Sequence, residues 1–533
     1  MNAMRLDDLL RGIASPDSGD IMVTGLTQDS REVRAGDAFV ALAGGGHHGI
    51  EFAEAAIEKG AVAVLAEKTE TGNREQETVE LRVSFVPRSP VPAVWIEDLR
   101  THLGEIAARF FGDPSAAMTL VGVTGTSGKT STVQLLAQAF AYLGKRAATI
   151  GTLGAGLHGA IEAGERTTPD VIRVHGLLAG FRDVGATHVA VEVSSHALDQ
   201  HRVDGIHFDV AVFTNLTRDH LDYHGTMEAY GAAKAKLFAW PNLRAAVINV
   251  DDAFGWALAT EFQKNQRHPS QRNVIPAMDW PGSNARDGKR TQTHGRKKLI
   301  RCGIQSDAAD VHARDVHTHS DGIDFELATP WGSGRVNSRL LGRFNVANLL
   351  AVAGTLAALD VPFGRILETL EVLEPIRGRM NRLGGGALPL VVVDYSHKPD
   401  ALEQVLDALR AHCEGKLICV FGCGGERDAG KRPLMGAIAE RLADVVIVTD
   451  DNPRGEDGDA IVAQIVAGMH APERAWVERD RARAIALALD RASAGDVVLV
   501  AGKGHETYQE VAGTKRPFDD LQVARATLEV RAC

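Results

Sequence analysis

Residues 125–130 have the types and spacing of a loop that binds phosphate. Their sequence, Gly-Thr-Ser-Gly-Lys-Thr, follows an apolar run at 119–124 and precedes a helical pattern of apolar residues. Glycines let backbone N–H groups approach an anion, Lys129 adds a positive charge, and the Thr130 hydroxyl can bind Mg²⁺. The consensus pattern has glycine where Val123 stands, and an ordinary strand–turn–helix connection is the alternative. The pattern predicts that the chain binds a nucleoside triphosphate.

Two further side chains near the ends of apolar runs could take part in the same chemistry. Glu192 lies within the run 188–193, where a buried carboxylate is costly unless a cation compensates its charge. Mg²⁺ beside the phosphate loop would do so, and a buried salt bridge is the alternative. His220 follows the run 210–213, and such a histidine alone is more often a surface or hydrogen-bonded residue than a ligand. Both are candidates because open α/β sheets bind ligands at the carboxyl ends of their strands.

The elements that must position these residues indicate an α/β fold. From about residue 100, apolar runs alternate with helical patterns, which favours a mostly parallel sheet covered by helices. Short strands and helices also mix within residues 1–99, and four strand ends in 377–533 are rich in charge. We therefore expect three domains, at 1–99, 100–376 and 377–533, with the nucleotide on the central one. The polar, basic stretch 262–298 is expected to be a surface insertion.

Composition excludes several classes of protein. The chain has 533 residues and a net charge of −11, which argues against a general nucleic-acid binder. No apolar run approaches the roughly 20 residues that span a bilayer, and the first residues do not resemble a secretory signal. A cytoplasmic enzyme with reduced thiols is the expectation, because the cysteines are odd in number and too sparse for a metal site (Cys302, Cys413, Cys419, Cys423 and Cys533).

A set of motifs, in chain order, resembles the Mur ligases, which are ATP-dependent amide-bond ligases that build the peptide of bacterial cell-wall precursors. The motifs are GTSGKTS, VEVSSH, NLTRDHLDYHG, AAKAKLF, GRFNVAN, DYSHKPD, FGCGGERDAGKRP, DNPR and AGKGHE. The resemblance covers essentially the full chain except 262–298. It implies a central P-loop-type, mostly parallel sheet with an N-terminal α/β domain and a C-terminal Rossmann-like domain. A monomer is the expected state, without stable membrane insertion and without a nucleic-acid partner.

The resemblance also implies a reaction and its substrates. ATP would phosphorylate the free carboxylate of UDP-N-acetylmuramoyl-L-alanyl-D-glutamate, and the amine of an incoming amino acid would attack the acyl phosphate. In the family, the motif at 451–454, Asp-Asn-Pro-Arg, accompanies meso-diaminopimelate, and a different motif accompanies lysine. An arginine and a carboxylate, here Arg454 and Glu506, can pair with the second carboxylate and the second amine of diaminopimelate.

By the same resemblance, the catalytic groups are Lys129, Glu192, His220 and Lys234. Thr130 and Glu192 would hold Mg²⁺ on the ATP phosphates, and His220 and Lys234 would serve a second Mg²⁺. Lysine cannot bind a cation as an ammonium, and in the family the lysine matching Lys234 is carbamylated by CO₂. The positions implied for ATP are Gly125, Thr126, Ser127, Gly128, Lys129, Thr130, Ser131, Asn345, Asn348 and Asp394.

The implied substrate sites lie on all three expected domains. The UDP-linked substrate would contact Gln28, Ser30, Gly45, Gly46, His47, Thr167, Thr168, Ser194, Gln200 and Arg202. Diaminopimelate would contact Arg427, Asp451, Asn452, Pro453, Arg454, Gly502 and Glu506. The sequence departs from the family pattern at Ser127, Arg166, Ser396 and Lys398.

Other functions remain open at this stage. Within the family, the alternatives are a lysine-adding, a D-alanyl-D-alanine-adding or a folyl-polyglutamate enzyme. Outside it, a P-loop switch or kinase would leave Glu192, His220 and the charged strand ends at 427, 454 and 506 without a role. A nucleotide-binding scaffold would show no turnover. These hypotheses differ in whether ATP turnover requires both a UDP-linked peptide and an amino acid.

Overall fold

The computed structural model describes residues 3–44, 47–68, 91–267 and 297–532. The chain divides into two compact units, Met1–Ile300 and Arg301–Cys533. Within the described ranges, no helix combines the length and the apolarity that crossing a membrane requires.

The first unit begins with a small sheet, β1 (Met4–Arg5) with β2 (Met22–Val23), and a four-stranded parallel sheet in the order β3-β4-β5-β6. These four strands are β3 (Gly25–Thr27), β4 (Asp37–Ala41), β5 (Ala63–Lys68) and β6 (Ala93–Glu97), and the helices are α1 (Leu6–Leu9), α2 (Ala53–Glu58) and α3 (Leu99–Phe110). Helix α3 buries Leu99, Leu103, Ile106 and Phe110 in the core of this sheet, because these residues recur at helical spacing.

A second sheet of the first unit carries the phosphate loop. Its strands are β7 (Thr119–Thr124), β8 (Ala147–Gly151), β9 (Gly154–Leu157), β10 (Ala160–Glu162), β11 (His188–Glu192), β12 (Val210–Phe213) and β13 (Ala245–Asn249). They run in the order β10-β9-β8-β11-β7-β12-β13. Strands β8, β11, β7, β12 and β13 are parallel, and β9 and β10 form an antiparallel extension. Since β7 lies between β11 and β12, the loops after these three strands meet at one edge. The expected mostly parallel sheet is confirmed.

The helices of this sheet follow its strands in sequence. They are α4 (Lys129–Tyr142), α5 (Val171–Asp183), α6 (Ser195–Asp199), α7 (Leu221–His224), α8 (Met227–Ala235) and α9 (Ala253–Arg267). Helix α9 continues to Arg267 and buries Phe262, so the expected insertion does not begin at residue 262. Its other expected end, residue 298, begins a strand, and residues 268–296 lie outside the described part of the chain.

The second unit contains an antiparallel meander followed by helices. Its elements are β14 (Lys298–Gly303), which crosses the unit boundary, β15 (Val311–His319), β16 (Gly322–Thr329), β17 (Gly332–Ser338), α10 (Arg343–Ala358) and α11 (Phe363–Glu371). Strands β15, β16 and β17 pair antiparallel in sequence order. Residues Ile323, Phe325 and Leu327 alternate into the core.

The rest of the second unit is a Rossmann-like sheet in the order β18-β19-β23-β20-β21-β22, parallel except for β18. The strands are β18 (Asn381–Gly384), β19 (Leu390–Asp394), β20 (Leu417–Phe421), β21 (Val445–Val448), β22 (Trp476–Val477) and β23 (Val497–Ala501), followed by the hairpin β24 (Tyr508–Val511) and β25 (Thr514–Pro517). The helices are α12 (Pro399–Arg410), α13 (Lys431–Leu442), α14 (Gly458–Val466), α15 (Arg481–Arg491) and α16 (Asp520–Ala532). The loops after β19, β20, β21 and β23 therefore share one edge.

Candidate active site

The phosphate loop connects β7 to α4, as its sequence predicts. Gly125 and Gly128 have φ of 150° and 82°, and helix α4 starts at Lys129. A side chain at Gly125 would collide with the Thr214 hydroxyl, so the close approach of the loop after β12 requires glycine there. The Lys129 ammonium lies at the loop itself and donates to the carbonyl oxygens of Gly125 and Thr126, at 2.8 Å each.

Residues after β12 hold the phosphate loop in place. The backbone N–H of Ser127 donates to Asn215 Oδ1 at 2.8 Å, and the Thr214 hydroxyl donates to the Ser127 carbonyl oxygen at 2.6 Å. The Thr126 side chain lies 3.2 Å from the Tyr230 hydroxyl. The loop is thus fixed by its neighbours before any ligand binds, which lowers the entropic cost of binding.

Glu192 lies at the end of β11, fully buried beside the start of α4. The Thr130 hydroxyl donates to Glu192 Oε2 at 3.0 Å, and the Thr152 backbone N–H donates to Oε1 at 2.8 Å. Burial raises the pKa of the Glu192 carboxyl, against the lowering effects of Lys129 and of these hydrogen bonds. A Cβ on Gly151 would lie 2.7 Å from Glu192 Cδ, so this glycine makes room for the carboxylate. Carboxylate and hydroxyl oxygens here form a donor set that suits Mg²⁺.

Lys234 on α8 is 1% exposed and donates to the Gly125 carbonyl oxygen at 2.8 Å. Its Nζ lies 4.2 Å from the centre of the Tyr230 ring. Burial, with the nearby charge of Lys129, lowers the pKa of the Lys234 amine to about 6. This lysine is therefore largely a neutral amine near pH 7.

His220 precedes α7 in a cluster of aromatic and imidazole rings. Its ring centre lies 4.9 Å from that of His196 and 6.0 Å from that of Tyr230. Tyr223 and His224 complete the cluster through contacts with His196. Lys234 and His220 thus both lie against Tyr230, close to the phosphate loop.

A polar cavity of about 120 Å³ lies in the first unit and contains three of the residues expected at the UDP-linked substrate. These are Gln28, Gln200 and Arg202, and the cavity is also lined by Leu42, Arg100, Leu103, Arg166, Asp170, Val171 and His201. The Arg202 guanidinium donates to the Thr168 carbonyl oxygen at 3.1 Å and to Gln200 Oε1 at 2.5 Å. Arg100 had no role in the sequence analysis, because only the folded chain brings α3 to this cavity.

The remaining residues expected at this substrate are found in different places. Thr168 lies beside Glu192: its hydroxyl donates to the Glu192 carbonyl oxygen at 2.7 Å and accepts from Ser194 N at 3.2 Å. The hydroxyl oxygens of Thr167 and Thr152 are 3.1 Å apart. Ser30 and His47 do not line the cavity. Gly45 and Gly46 lie outside the described residues.

In the second unit, the three residues expected at ATP are buried, namely Asn345, Asn348 and Asp394. Asn348 donates to Asn345 Oδ1 at 2.8 Å, and Asn345 donates to the Leu341 carbonyl oxygen at 2.7 Å. Asp394 ends β19 and accepts the Met380 backbone N–H at 2.9 Å. Burial raises the pKa of the Asp394 carboxyl. Their role at the nucleotide stays a prediction.

The residues expected at diaminopimelate come together after β20, β21 and β23. The loop after β20 lets two arginines lie side by side, since a Cβ on Gly424 would be 2.9 Å from Arg454 Nη1 and 3.8 Å from Arg427 Cγ. Arg454 has φ of 54° and donates to the Gly425 carbonyl oxygen at 2.7 Å. A Cβ on Gly502 would lie 3.4 Å from Asp451 Oδ2, which places the turn after β23 against the turn after β21.

A fully buried lysine, Lys503, links three of these residues. Its ammonium donates to Asn452 Oδ1 at 3.0 Å and to Glu506 Oε2 at 3.2 Å, and it lies 3.7 Å from Asp451 Oδ1. Asn452 also donates to Glu506 Oε2 at 2.8 Å. Sequence reasoning missed Lys503 as a site residue, although its place between two glycines directly after a buried strand was a usable signal.

A buried ion pair contacts the end of β23, the strand that precedes Gly502 and Lys503. Arg481 and Asp520 have fully buried side chains joined by two hydrogen bonds of 2.7 Å. The same guanidinium donates to the carbonyl oxygen of Ala501, the last residue of β23, at 2.9 Å. Helix α16, which begins at Asp520, is thereby tied to the strand that carries Gly502 and Lys503.

Metal sites made of several acidic or sulfur ligands are not found in the described ranges: no three His, Cys, Asp or Glu residues there are placed to hold one ion. The four described cysteines are free thiols. Beside phosphates, Mg²⁺ is usually bound by one or two carboxylates together with phosphate oxygens.

Comparison with known families gives matches along most of the chain. Residues 22–111 match the Mur ligase family catalytic domain, residues 123–272 and 269–356 the Mur ligase middle domain, and residues 378–504 the Mur ligase glutamate ligase domain. A protein of Xanthomonas campestris pv. campestris (strain 8004) is 54% identical over 530 residues, which are 99% of this chain and 97% of that protein. The chain belongs to the Mur ligase family. The expected three-domain Mur ligase architecture is confirmed.

Other relatives of this Mur ligase carry the same name as the Xanthomonas protein, UDP-N-acetylmuramoyl-L-alanyl-D-glutamate–2,6-diaminopimelate ligase. One, from Xylella fastidiosa (strain 9a5c), is 54% identical over 533 residues, covering 99% of this chain and 97% of that one. A solved structure of a ligase of that name is 34% identical, covers 100% of both chains and has a TM-score of 0.71.

Proposed function

We propose that this Mur ligase joins meso-2,6-diaminopimelate to UDP-N-acetylmuramoyl-L-alanyl-D-glutamate at the expense of ATP, giving the UDP-tripeptide, ADP and phosphate. Full-length similarity to ligases of that name supports the reaction. The observation that carries the choice of amino acid is the group after β20, β21 and β23, where Arg427 and Arg454 adjoin Gly424 and where Lys503 links Asp451 to Glu506.

The phosphate loop binds and orients the nucleotide in this proposal. The N-terminus of α4 would face the phosphates, and Lys129 would add positive charge near the phosphoryl group that is transferred. The acceptor is the free carboxylate of the D-glutamyl residue, which takes the terminal phosphoryl group as ADP leaves and becomes an acyl phosphate. The neutral amine of diaminopimelate then attacks the acyl carbon and loses a proton, and phosphate leaves with the bonding electrons.

Thr130 and Glu192 fit the role of holding Mg²⁺ at the phosphates. Their oxygens are 3.0 Å apart, and the fully buried carboxylate lies at the first turn of α4. A cation there explains why a carboxylate is retained in a fully buried position. When bound, Mg²⁺ supplies neutralisation of the phosphate charge as the phosphoryl group moves.

Lys234 is proposed to carry a carbamate and, with His220, to serve a second Mg²⁺. Carbamylation requires a neutral amine as nucleophile, and the lowered pKa of Lys234, about 6, supplies it at neutral pH. The charge of Lys129, close enough to affect that pKa, would stabilise the resulting anion.

The cavity lined by Arg100, Arg166 and Arg202 is proposed to bind an anionic part of the UDP-linked substrate. Three guanidinium groups suit phosphate or carboxylate oxygens, which they bind in a bidentate manner. Thr168 and Ser194 connect this cavity to Glu192, so the substrate would extend from the cavity toward the nucleotide.

The deciding experiment measures phosphate release from ATP in the presence of the UDP-linked dipeptide, with meso-diaminopimelate or L-lysine added in parallel. We expect release that depends on both the UDP-dipeptide and meso-diaminopimelate, with the UDP-tripeptide detected by mass spectrometry. Release with lysine instead would keep the ligase and overturn the choice of amino acid. Release without any amino acid would favour a kinase or switch. A monomeric state and a cytoplasmic location stay predictions, tested by sedimentation and by cell fractionation.

A further inference from the structure

Lys503 is a buried cation in the midst of the proposed amino-acid site. Its side chain is fully buried, and the residue lies in the turn that follows β23. Three polar side chains surround its ammonium: Asn452 Oδ1 at 3.0 Å, Glu506 Oε2 at 3.2 Å and Asp451 Oδ1 at 3.7 Å. All three were expected to contact diaminopimelate, whereas Lys503 was not.

The ammonium fixes where these groups point. Asn452 donates its amide N–H to Glu506 Oε2 and accepts from Lys503 through Oδ1, so the amide is oriented by both neighbours. Glu506 Oε2 in turn accepts from both Asn452 and Lys503, while Asp451 Oδ1 makes no hydrogen bond within the described residues. Without the ammonium, two carboxylates would share a poorly solvated space and repel each other.

The charges of this site can be compared with those of its possible ligands. Arg427, Arg454 and Lys503 bring three positive charges, which balance the three carboxylates of Asp451, Glu506 and Glu510, the last lying 3.9 Å from Arg454 Nε. Diaminopimelate with its attacking amine neutral carries two carboxylates and one ammonium, so it is an anion overall. Lysine with its attacking amine neutral carries one carboxylate and one ammonium, so its net charge is zero. Without the charge of Lys503, the carboxylates of the site would outnumber its cations, and the site would disfavour the anionic diaminopimelate more than the neutral lysine.

We propose that Lys503 is a positioning residue that selects the amino acid with two carboxylates, by orienting Asn452 and Glu506 and by balancing the negative charge of the site's carboxylates. This inference rests on the proposed function. Lys503 acts through its neighbours, because its fully buried ammonium is enclosed by them.

The test compares Lys503→Met and Lys503→Gln with the unchanged enzyme. Both variants remove the charge, and glutamine retains a donor for Asn452. We expect KM for meso-diaminopimelate to rise by about tenfold or more in both, since a buried charge partner is lost. KM for ATP and for the UDP-dipeptide should stay within about twofold. The rate with meso-diaminopimelate relative to that with L-lysine, at equal subsaturating concentrations, should fall by a similar factor.

A matched control is Asp496→Asn, at the opposite end of the same strand. Asp496 is 7% exposed and accepts backbone N–H groups of Lys416 and Ser493, so its change should lower the midpoint of thermal unfolding without altering KM for meso-diaminopimelate. KM does not depend on the fraction of folded enzyme, so a partly unfolded Lys503 variant still reports on the site.

The outcomes separate this inference from the proposed function. If the unchanged enzyme releases no phosphate with meso-diaminopimelate, the proposed function fails. If it does, but the Lys503 variants keep an unchanged KM for diaminopimelate, or raise KM for all three substrates alike, then the selecting role of Lys503 is overturned. Full rescue by Lys503→Gln would also overturn it, because the effect would then come from a hydrogen bond and not from charge.

Discussion

Lys234 is the side chain whose chemical state matters most for the proposed reaction. It is buried, bonded to the Gly125 carbonyl oxygen of the phosphate loop, and has a pKa of about 6. We expect Lys234→Ala to lower the rate of phosphate release by about 100-fold or more, since an anionic ligand to the metal would be missing. The unchanged enzyme should lose activity in buffer depleted of CO₂ and regain it with bicarbonate.

Lys236→Ala is the control for this prediction. Lys236 lies two positions further along, is 40% exposed at its side chain and pairs with Asp199 at 2.9 Å. Its change should leave the rate within about twofold, because an exposed ion pair contributes little. Substantial turnover by Lys234→Ala without added bicarbonate would disprove the carbamate.

Residues of the site differ in how far sequence alone could predict them. The loop at 125–130 could be predicted because strand, turn and helix are consecutive, and its contact between Thr130 and Glu192 followed from sheet topology. Lys503 lies in a turn of the same kind after a buried strand, but the sequence does not show that its side chain is buried against Asn452. Which side chains share a buried space depends on packing that no local pattern encodes.

At the scale of elements, helix α3 is held close to the central sheet's loops by a glycine. A Cβ on Gly104 would lie 2.5 Å from the carbonyl oxygen of Asp204. Alanine normally stabilises a helix relative to glycine, but here we expect Gly104→Ala to lower the free energy of unfolding by about 1–3 kcal/mol, because the backbone must shift. Denaturant unfolding followed by circular dichroism measures the change.

Gly180 in α5 provides the comparison, since a Cβ there would meet nothing within 4 Å. Gly180→Ala should raise the free energy of unfolding by about 0.5–1 kcal/mol, through helix propensity and a less flexible unfolded chain. Equal effects of the two substitutions would show that the contact of α3 with Asp204 does not limit stability.

Elements outside the motifs were harder to predict. The meander of β15, β16 and β17 was not expected, although Ile323, Phe325 and Leu327 alternate as a half-buried strand should. The polar stretch beginning at residue 262 was expected to be an insertion, and its first six residues instead extend α9, because Phe262 continues the buried face of that helix. Composition misplaces such boundaries, since helix ends depend on packing.

At the scale of the whole molecule, each of the two compact units contains clusters of buried apolar residues. In the second unit, Val498 and Leu499 of β23 belong to two different clusters, one on each face of the sheet. In the first unit, Leu65 and Leu103 belong to another cluster. We expect calorimetry of the full chain to show more than one transition, with a calorimetric enthalpy above the van't Hoff value.

Substitutions can assign these transitions to the units. Gly104→Ala should lower only the midpoint of the first unit's transition. Gly436→Ala, where a Cβ would collide with the Ile465 carbonyl oxygen, should lower only that of the second. A single two-state transition that shifts with both substitutions would show instead that the units unfold together.

The ion pair of Arg481 and Asp520 has a practical consequence for work with shortened chains. Asp520 is the first residue of α16, and its partner also holds the carbonyl oxygen of Ala501, directly before Gly502 and Lys503. Removing residues 520–533 to aid crystal growth would leave the buried guanidinium of Arg481 without its carboxylate partner, beside the proposed amino-acid site. Truncations intended for inhibitor screening should therefore keep this helix, because compounds selected without it would be matched to an altered binding surface.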